Sequence, residues 1–476
     1  MTSTIVRAGL SGEHWYLADP DAMSGIIVGN STARPLSDVP TAAARPLTAL
    51  TPRSLRESLR LVLRQGDTLF HDAAQTSLLR YRVIGAAGRT VVLSDPGHIK
   101  SIMTVDPAIA PSATRTSPLR PIIGSQSVLT SIGERHKRQR AMLMPHFHGR
   151  AAASYREAIE RATSRAIDGW PVGEVIELAD LGQQITLDVI MTAIFGIGDD
   201  RASTPAEADL RFQVVRLLRR STWPVATAAQ LVNARNPEPV GFTRWALKPV
   251  DAAMYRVITE RRKSLGGNDI LSVLLDARDS SGAALSDDEI RDELMTLVLA
   301  GHETTSNTVA WTFERLTRHR EQYLRVREQV RADGGADVVE SLINESMRSR
   351  PVVPIVAREL LAPWDFGGQR IDAGTVALVS ILLLHHRDEI YSRPFAFDSE
   401  RFLQTRPSPT TLMPFGGGNR RCLGSALAMA ELRTVVTEIL RRVDLETHER
   451  PGERPRHRNV TMIPNDGGKV RAVAKV

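Results

Sequence analysis

Cysteine is almost absent from this chain. One residue in 476, Cys422, carries a thiol, so no intrachain disulfide can form and nothing in the sequence asks for an oxidising compartment; a cytoplasmic protein is expected. Long apolar runs are absent too. The most apolar segment, "VALVSILLL" at Val376 to Leu384, falls well short of the roughly 18 residues read as a membrane-spanning helix, and no membrane anchor is expected. The opening residues, "MTSTIVRAGLSGEHWYLADP", hold no basic segment followed by an apolar stretch, which argues against a secretory leader. Aromatic residues make up only 5% of the chain, so nucleic-acid binding is not expected despite a net charge of +7. The positive balance suits an acidic protein partner instead.

What is present is an ordinary globular composition, 42% hydrophobic and 24% charged. Residues 1–50, rich in Ala, Pro, Ser and Thr, read as a loosely organised lead-in, and 51–476 as a single domain without repeats or long linkers. "LLRYRVIG" and "TVVLS", joined through "AAGR", predict a hairpin. Apolar spacings of three and four predict helices in "SYREAIERATSRAI", "ADLRFQVVRLLRR" and "DILSVLLDAR". Ser286 followed by Glu289 is a capping-box signature, and the absence of proline before Pro351 lets the helix behind it run to about His319. At 1.5 Å per residue that is about 50 Å, a strut across the whole domain. Strands and loops return after Pro351, a further helix follows Gly424, and "VTMIPNDGGKVRAVAKV" predicts a closing hairpin turning at Asn465 to Gly468. The fold class is mainly α with small peripheral β-sheets.

The single thiol stands in "PFGGGNRRCLG", just before a helix. There a thiolate meets the positive end of the dipole, which lowers its pKa and suits a metal ligand or a nucleophile. The alternative is a small core residue. Gly416, Gly418 and Gly424 allow positive φ and a close approach of backbone to a flat ligand, and Arg420 can pair with an anionic group on it. The missing lysine, and glycines that do not fall as G-x-G-x-x-G, argue against a phosphate loop.

The spacing of Phe415, Gly416, Gly418, Arg420, Cys422 and Gly424 resembles the haem-ligand loop of the cytochrome P450 family at every fixed position. The resemblance implies a fold with a long central helix over haem, Cys422 as the axial ligand of the iron, and Arg420 on a haem propionate. It continues elsewhere. "AGHETT" in the strut resembles the family's oxygen-activating motif, giving Ala300 and Gly301 beside the haem and Glu303 and Thr304 as the proton route. Glycine here also leaves room over the helix face, and a threonine hydroxyl can bond back to the preceding turn and loosen it. Glu345 and Arg348 in "ESMRSRP" share a helix face and are similar to the family's E-x-x-R, with Arg401 in "PFAFDSERF" as the third member of a buried structural network. His136 and Arg140 in "GERHKRQRAMLMPHF", and Arg358 in "PIVARE", resemble further propionate ligands. Two positions depart from the family pattern: Ser399 and Glu389 stand where prolines are usual.

The resemblance implies a soluble bacterial-type monooxygenase. It would hold haem b (iron protoporphyrin IX), take dioxygen as co-substrate, and draw electrons from NAD(P)H indirectly, through a ferredoxin or flavodoxin and its reductase. The chain has no flavin or iron–sulfur motif of its own, and one cysteine cannot hold a cluster. Lys137, Arg138 and Arg421 are expected to face the acidic electron donor. Leu297, Ala300, Val352, Val353, Ile355 and Val356 would line an apolar pocket for a hydrophobic small molecule, with the segment from Phe212 to Lys248 as its lid. A monomer is expected. The competing readings are a haem-thiolate isomerase or dehydratase, a peroxide-driven peroxygenase, and a haem sensor without turnover.

Overall fold

A computed structural model describes residues 78–81 and 90–476, except 115, 116, 118, 150–154, 199–202, 222–228, 230–232, 234, 235, 237, 264, 265, 268, 279–281, 333, 367, 449–451 and 459. The lead-in, its boundary at residue 50 and the "AAGR" turn lie outside the described residues.

In chain order the elements are β1 (Leu78–Tyr81), β2 (Thr90–Leu93), α1 (Pro96–Thr104), α2 (Arg120–Ile123), α3 (Gly133–Leu143), α4 (Arg156–Asp168), β3 (Val175–Glu177), α5 (Leu178–Phe195), α6 (Pro205–Ser221), α7 (Gly241–Arg262), α8 (Ile270–Asp276) and α9 (Asp287–Arg318). There follow α10 (Arg320–Arg331), α11 (Ala336–Ser349), β4 (Ile355–Glu359), β5 (Trp364–Phe366), β6 (Gln369–Ile371), β7 (Val376–Ser380), α12 (Ile381–Leu384), α13 (Ser425–Arg442), β8 (Val443–Thr447), β9 (Pro455–Arg458), β10 (Thr461–Pro464) and β11 (Lys469–Lys475).

The strut is α9, 32 residues long, and its start is fixed as the sequence predicts. The Ser286 hydroxyl accepts from the Glu289 amide at 3.2 Å, while the Glu289 carboxylate accepts from the Ser286 amide at 2.9 Å. Asp287, Asp288 and Glu289 lie at the positive end of the dipole, and Arg315 and Arg318 at the negative end. Its main neighbour is α5, an apolar 18-residue helix with the hydropathy of a membrane span but 72% buried in the core. Small residues let the two helices approach: a Cβ on Gly182 would come within 2.8 Å of Ser306 Cα, and one on Gly301 within 2.9 Å of Ile190 Cδ1. Between these contacts the Thr186 hydroxyl donates to the His302 carbonyl at 3.0 Å.

The sheets are peripheral. β1, β2, β7 and β4 form one sheet in that order, with β2 and β7 parallel and the other pairs antiparallel. The expected closing hairpin is not formed. Its two halves enter different sheets, β10 pairing with β9, and β11 lying between β3 and β8. The turn between them is held by a carboxylate instead of a ladder: Glu453 accepts from the amides of Asp466, Gly468 and Lys469 at 2.9, 3.1 and 2.6 Å. β10 is buried along its whole length.

Candidate functional site

The cysteine loop leaves the core at Met413 and re-enters it at α13. Gly416 and Gly418 both adopt left-handed φ, 65° and 62°, which side chains rarely tolerate. A Cβ on Gly418 would also stand 1.9 Å from the Met103 carbonyl oxygen at the end of α1, so the loop lies directly on that helix. The Cys422 amide closes the loop by donating to the Phe415 carbonyl at 2.8 Å. Gly424 corrects the expectation placed on it: its φ is −86°, an ordinary value, and its contribution is an N–H directed at the Cys422 sulfur.

Cys422 has solvent-exposed surface. Burial nevertheless pushes its thiol pKa up, against the Gly424 N–H and the charges of Arg140 and Arg421. The two facts agree if the thiol lies at the floor of a concavity, crowded by protein but open on one side. The lowered pKa expected from the helix dipole is therefore not what the folded chain provides. A bound metal ion would reverse the balance, since a coordinating thiol is deprotonated outright.

Three arginines, Arg140, Arg358 and Arg420, and one neutral histidine, His136, converge beside this loop. His136 is buried on α3, and its pKa falls to about 4 through burial and then the charges of Arg420, Arg140 and Arg358. Arg358, buried on β4, is lowered to about 10 by burial, and its Nη2 has no hydrogen-bond partner. Arg420 is likewise lowered to about 10, by burial and then by Arg358 and Arg140. Its guanidinium donates to the carbonyls of Val128 at 3.1 Å, Leu129 at 3.4 Å and Ser131. Among the described residues no carboxylate forms an ion pair with any of the four. Buried charges without an answering charge are costly, and such a cluster is built for an anion from outside the chain.

The burial of α9 is interrupted on one stretch. Residues on both sides are buried, but Ala300 is exposed and Leu297, Gly301, Glu303 and Thr304 are partly so. The Thr304 hydroxyl bonds back to the Ala300 carbonyl at 2.8 Å, and the Thr308 hydroxyl to the Thr304 carbonyl at 2.9 Å. The expectation that Gly301 leaves room for a ligand is corrected, because the space beside it is filled by Ile190 of α5. Glu303 is not a free acid: it accepts from Arg458 Nε at 2.5 Å and the Thr461 hydroxyl at 2.9 Å. Of the expected pocket residues, Val353 and Ile355 are partly exposed, whereas Val352 is buried and Val356 packs on the apolar cluster under the four-stranded sheet.

Glu345, Arg348 and Arg401 are brought together and buried. Arg348 holds the Glu345 carboxylate with two bonds of 2.6 and 2.8 Å, and Arg401 adds a third at 3.0 Å. Sequence reasoning missed how this network reaches the thiol. Arg348 donates to the His385 carbonyl at 3.0 Å, and His385 Nε2 accepts from the Met413 amide at 2.8 Å. The Met413 carbonyl then accepts from Gly416, inside the cysteine loop, at 2.9 Å. Ser399 also gains a reason: its amide donates to Gln322 Oε1 at 2.8 Å, a bond that proline cannot make. On the expected electron-donor face, Arg138 and Arg421 are exposed, but Lys137 is tied to Glu134 at 2.6 Å.

A mainly helical domain that sets one open thiol beside three uncompensated arginines and a neutral histidine is suited to a metal-bearing, anionic cofactor. The chain belongs to the cytochrome P450 family, whose family model matches residues 69–472. It is 34% identical over 405 residues to a Mycobacterium tuberculosis protein carrying the name cytochrome P450 135B1, covering 82% of this chain and 84% of that one. It is 31% identical over 462 residues to a Mycobacterium bovis protein carrying the name cytochrome P450 138, covering 91% and 99%. Two solved structures share the fold at 22% identity. Retinoic acid bound cyanobacterial CYP120A1 superposes with a TM-score of 0.72 over 88% of this chain and 96% of its own. The cytochrome P450DA haem domain gives 0.73 over 91% and 99%. Family membership implies haem. The residues present fit it: the thiol supplies the soft ligand, and the cation cluster with its orphaned Arg358 nitrogen suits the two carboxylates of the porphyrin.

Proposed function

We propose that this protein is a haem-thiolate monooxygenase that oxidises a hydrophobic small molecule with electrons from an external donor. The observation that carries the reading is the open Cys422 thiol beside three arginines, Arg140, Arg358 and Arg420, that no carboxylate among the described residues pairs with. Cys422 would ligate the iron, and His136, Arg140, Arg358 and Arg420 would hold the propionates. Haem with a thiolate ligand supplies the reductive activation of dioxygen, because the ligand's electron density favours O–O cleavage. The chain's part is to exclude water, place the substrate and deliver protons. Leu297, Ala300, Val353 and Ile355 offer the substrate an apolar lining. Thr304 donates to the Ala300 carbonyl, on the exposed stretch of α9, and can point its proton away from that carbonyl by turning the hydroxyl. Glu303, adjacent in sequence and about 100° round the helix, replaces that proton. Arg138 and Arg421 support docking of an acidic ferredoxin or flavodoxin, itself reduced by an NAD(P)H-dependent reductase.

The test is the spectrum of the dithionite-reduced protein under carbon monoxide, followed by substrate-dependent consumption of reduced ferredoxin. A red-shifted thiolate band is expected in the wild type and is lost in Cys422→Ser. A wild-type protein without that band, or a variant that keeps it, overturns the reading.

A further inference from the structure

Glu303 and Thr304 are neighbours in sequence, so on a helix their side chains leave the axis about 100° apart. Thr304 shares its side of α9 with the exposed Ala300. Glu303 turns to the β9–β10 hairpin, where Arg458 Nε stands 2.5 Å from Oε1 and the Thr461 hydroxyl donates to the same oxygen at 2.9 Å. The Thr461 hydroxyl shares its single hydrogen between that oxygen and the Arg458 carbonyl, 2.8 Å away, which ties the hairpin to the acid at this point. Arg458 in turn lines a polar cleft together with Asp180, Gln183, Asn307, Arg456 and Asn465. Asn307 connects the cleft wall back to the acid, because its side-chain amide donates to the Glu303 carbonyl at 2.7 Å. Both partners of the ion pair keep some contact with solvent, 18% for Arg458 and 19% for Glu303.

We propose that Arg458 and Thr461 are positioning residues for proton supply, and that the polar cleft beside them is the route by which solvent protons reach Glu303 and then Thr304. This rests on the monooxygenase reading given above. Arg458 holds the carboxylate at the cleft, where it meets water. When the pair opens, the carboxylate takes a proton from the water of the cleft, turns to the Thr304 side and passes it to the hydroxyl as the hydroxyl gives up its own. The carboxylate returns to Arg458 unchanged, and each proton comes from bulk solvent. A charge-assisted pair holds the acid at the cleft until it opens, and so separates proton pick-up from delivery.

The experiment compares Arg458→Gln, Arg458→Lys and Thr461→Val in the haem-loaded protein, each first shown to keep the thiolate carbon monoxide band. Product formed per NAD(P)H should fall about tenfold in Arg458→Gln, less than the hundredfold or more contributed by a proton donor itself. Hydrogen peroxide should rise to match, and the solvent isotope effect on product formation should increase. Arg458→Lys should restore most of the coupling, and Thr461→Val should shift it less, in the same direction. A readout independent of turnover is the urea midpoint in a double-mutant cycle with Glu303→Gln, where the second substitution should cost nothing further once the first is made. Unchanged coupling and isotope effect in Arg458→Gln, or additive midpoint losses in the cycle, overturn the proposal. Absence of the thiolate band in the wild type would instead overturn the underlying function.

Discussion

Two buried charge clusters lie in one domain and differ in how they are balanced. Around Glu345 every charge meets a partner from the chain: Arg348 and Arg401 hold the carboxylate, and their remaining N–H groups reach the carbonyls of His385, Ser392, Pro394 and Ala396. Around Arg420, three arginines and the neutral His136 converge and no carboxylate among the described residues pairs with them. The first cluster is complete when the chain has folded. The second is complete only when an anion arrives. Since taking a charge out of water costs several kcal/mol unless it is paired, charge balance alone separates a structural network from a binding site.

The largest effect should come from breaking the complete cluster. Glu345→Ala leaves Arg348 and Arg401 as buried charges without a counter-charge, and should destabilise the fold by about 3 to 5 kcal/mol. The denaturant midpoint should drop whether or not haem is bound, because nothing in the cofactor replaces the lost carboxylate. A loss below about 1 kcal/mol, the scale of an exposed pair, would mean that the network is not the buried ion cluster described.

The incomplete cluster should respond with the opposite sign. Arg358→Met removes a buried cation whose Nη2 has no partner, so the haem-free protein should be as stable or more stable, by about 1 kcal/mol or above. The same variant should lose haem faster, measured by transfer to an acceptor globin. A variant that destabilises the haem-free chain and leaves haem transfer unchanged would place Arg358 with the structural residues instead.

The sequence made the first cluster legible and the second only in part. Glu345 and Arg348 are three residues apart on one helix, so their pairing is local information, as is the capping box at Ser286 and Glu289. The length of α9 followed from the absence of proline. The bonds that carry the network to the thiol were not legible, because His385 and Met413 are joined by tertiary folding and the sequence marks neither. The same is true of Arg458 on Glu303, separated by 155 positions. The misread closing hairpin has a similar cause: turn chemistry at Asn465 to Gly468 predicts a reversal, but which strands then pair depends on what the rest of the chain offers. Gly301 shows the limit of a motif. Its glycine suggests room for a ligand, and only the packing reveals Ile190 in that room.

The smallest effect distinguishes the clusters by titration. His385 is held neutral at about 3 by burial and the charge of Arg348, and His136 at about 4 by burial and then by Arg420, Arg140 and Arg358. Both values lie below the ordinary 6.5 of the unfolded chain. The unfolded state therefore binds more protons in the window between, so the stability from these groups is full above 6.5 and declines as pH falls toward 4 and then 3. A dianion bound among Arg420, Arg140 and Arg358 would cancel the repulsion felt by His136, raise its pKa and narrow its share of the window. His385 has no such anion to answer: its Nε2 accepts from the Met413 amide and it faces Arg348. Urea midpoints followed downward from pH 6.5 should thus fall less steeply with haem than without it, and His136→Gln should remove most of that difference while leaving the decline due to His385. If the haem-loaded and haem-free proteins decline in parallel, His136 does not sense the cofactor's carboxylates, and the three arginines need a different anion.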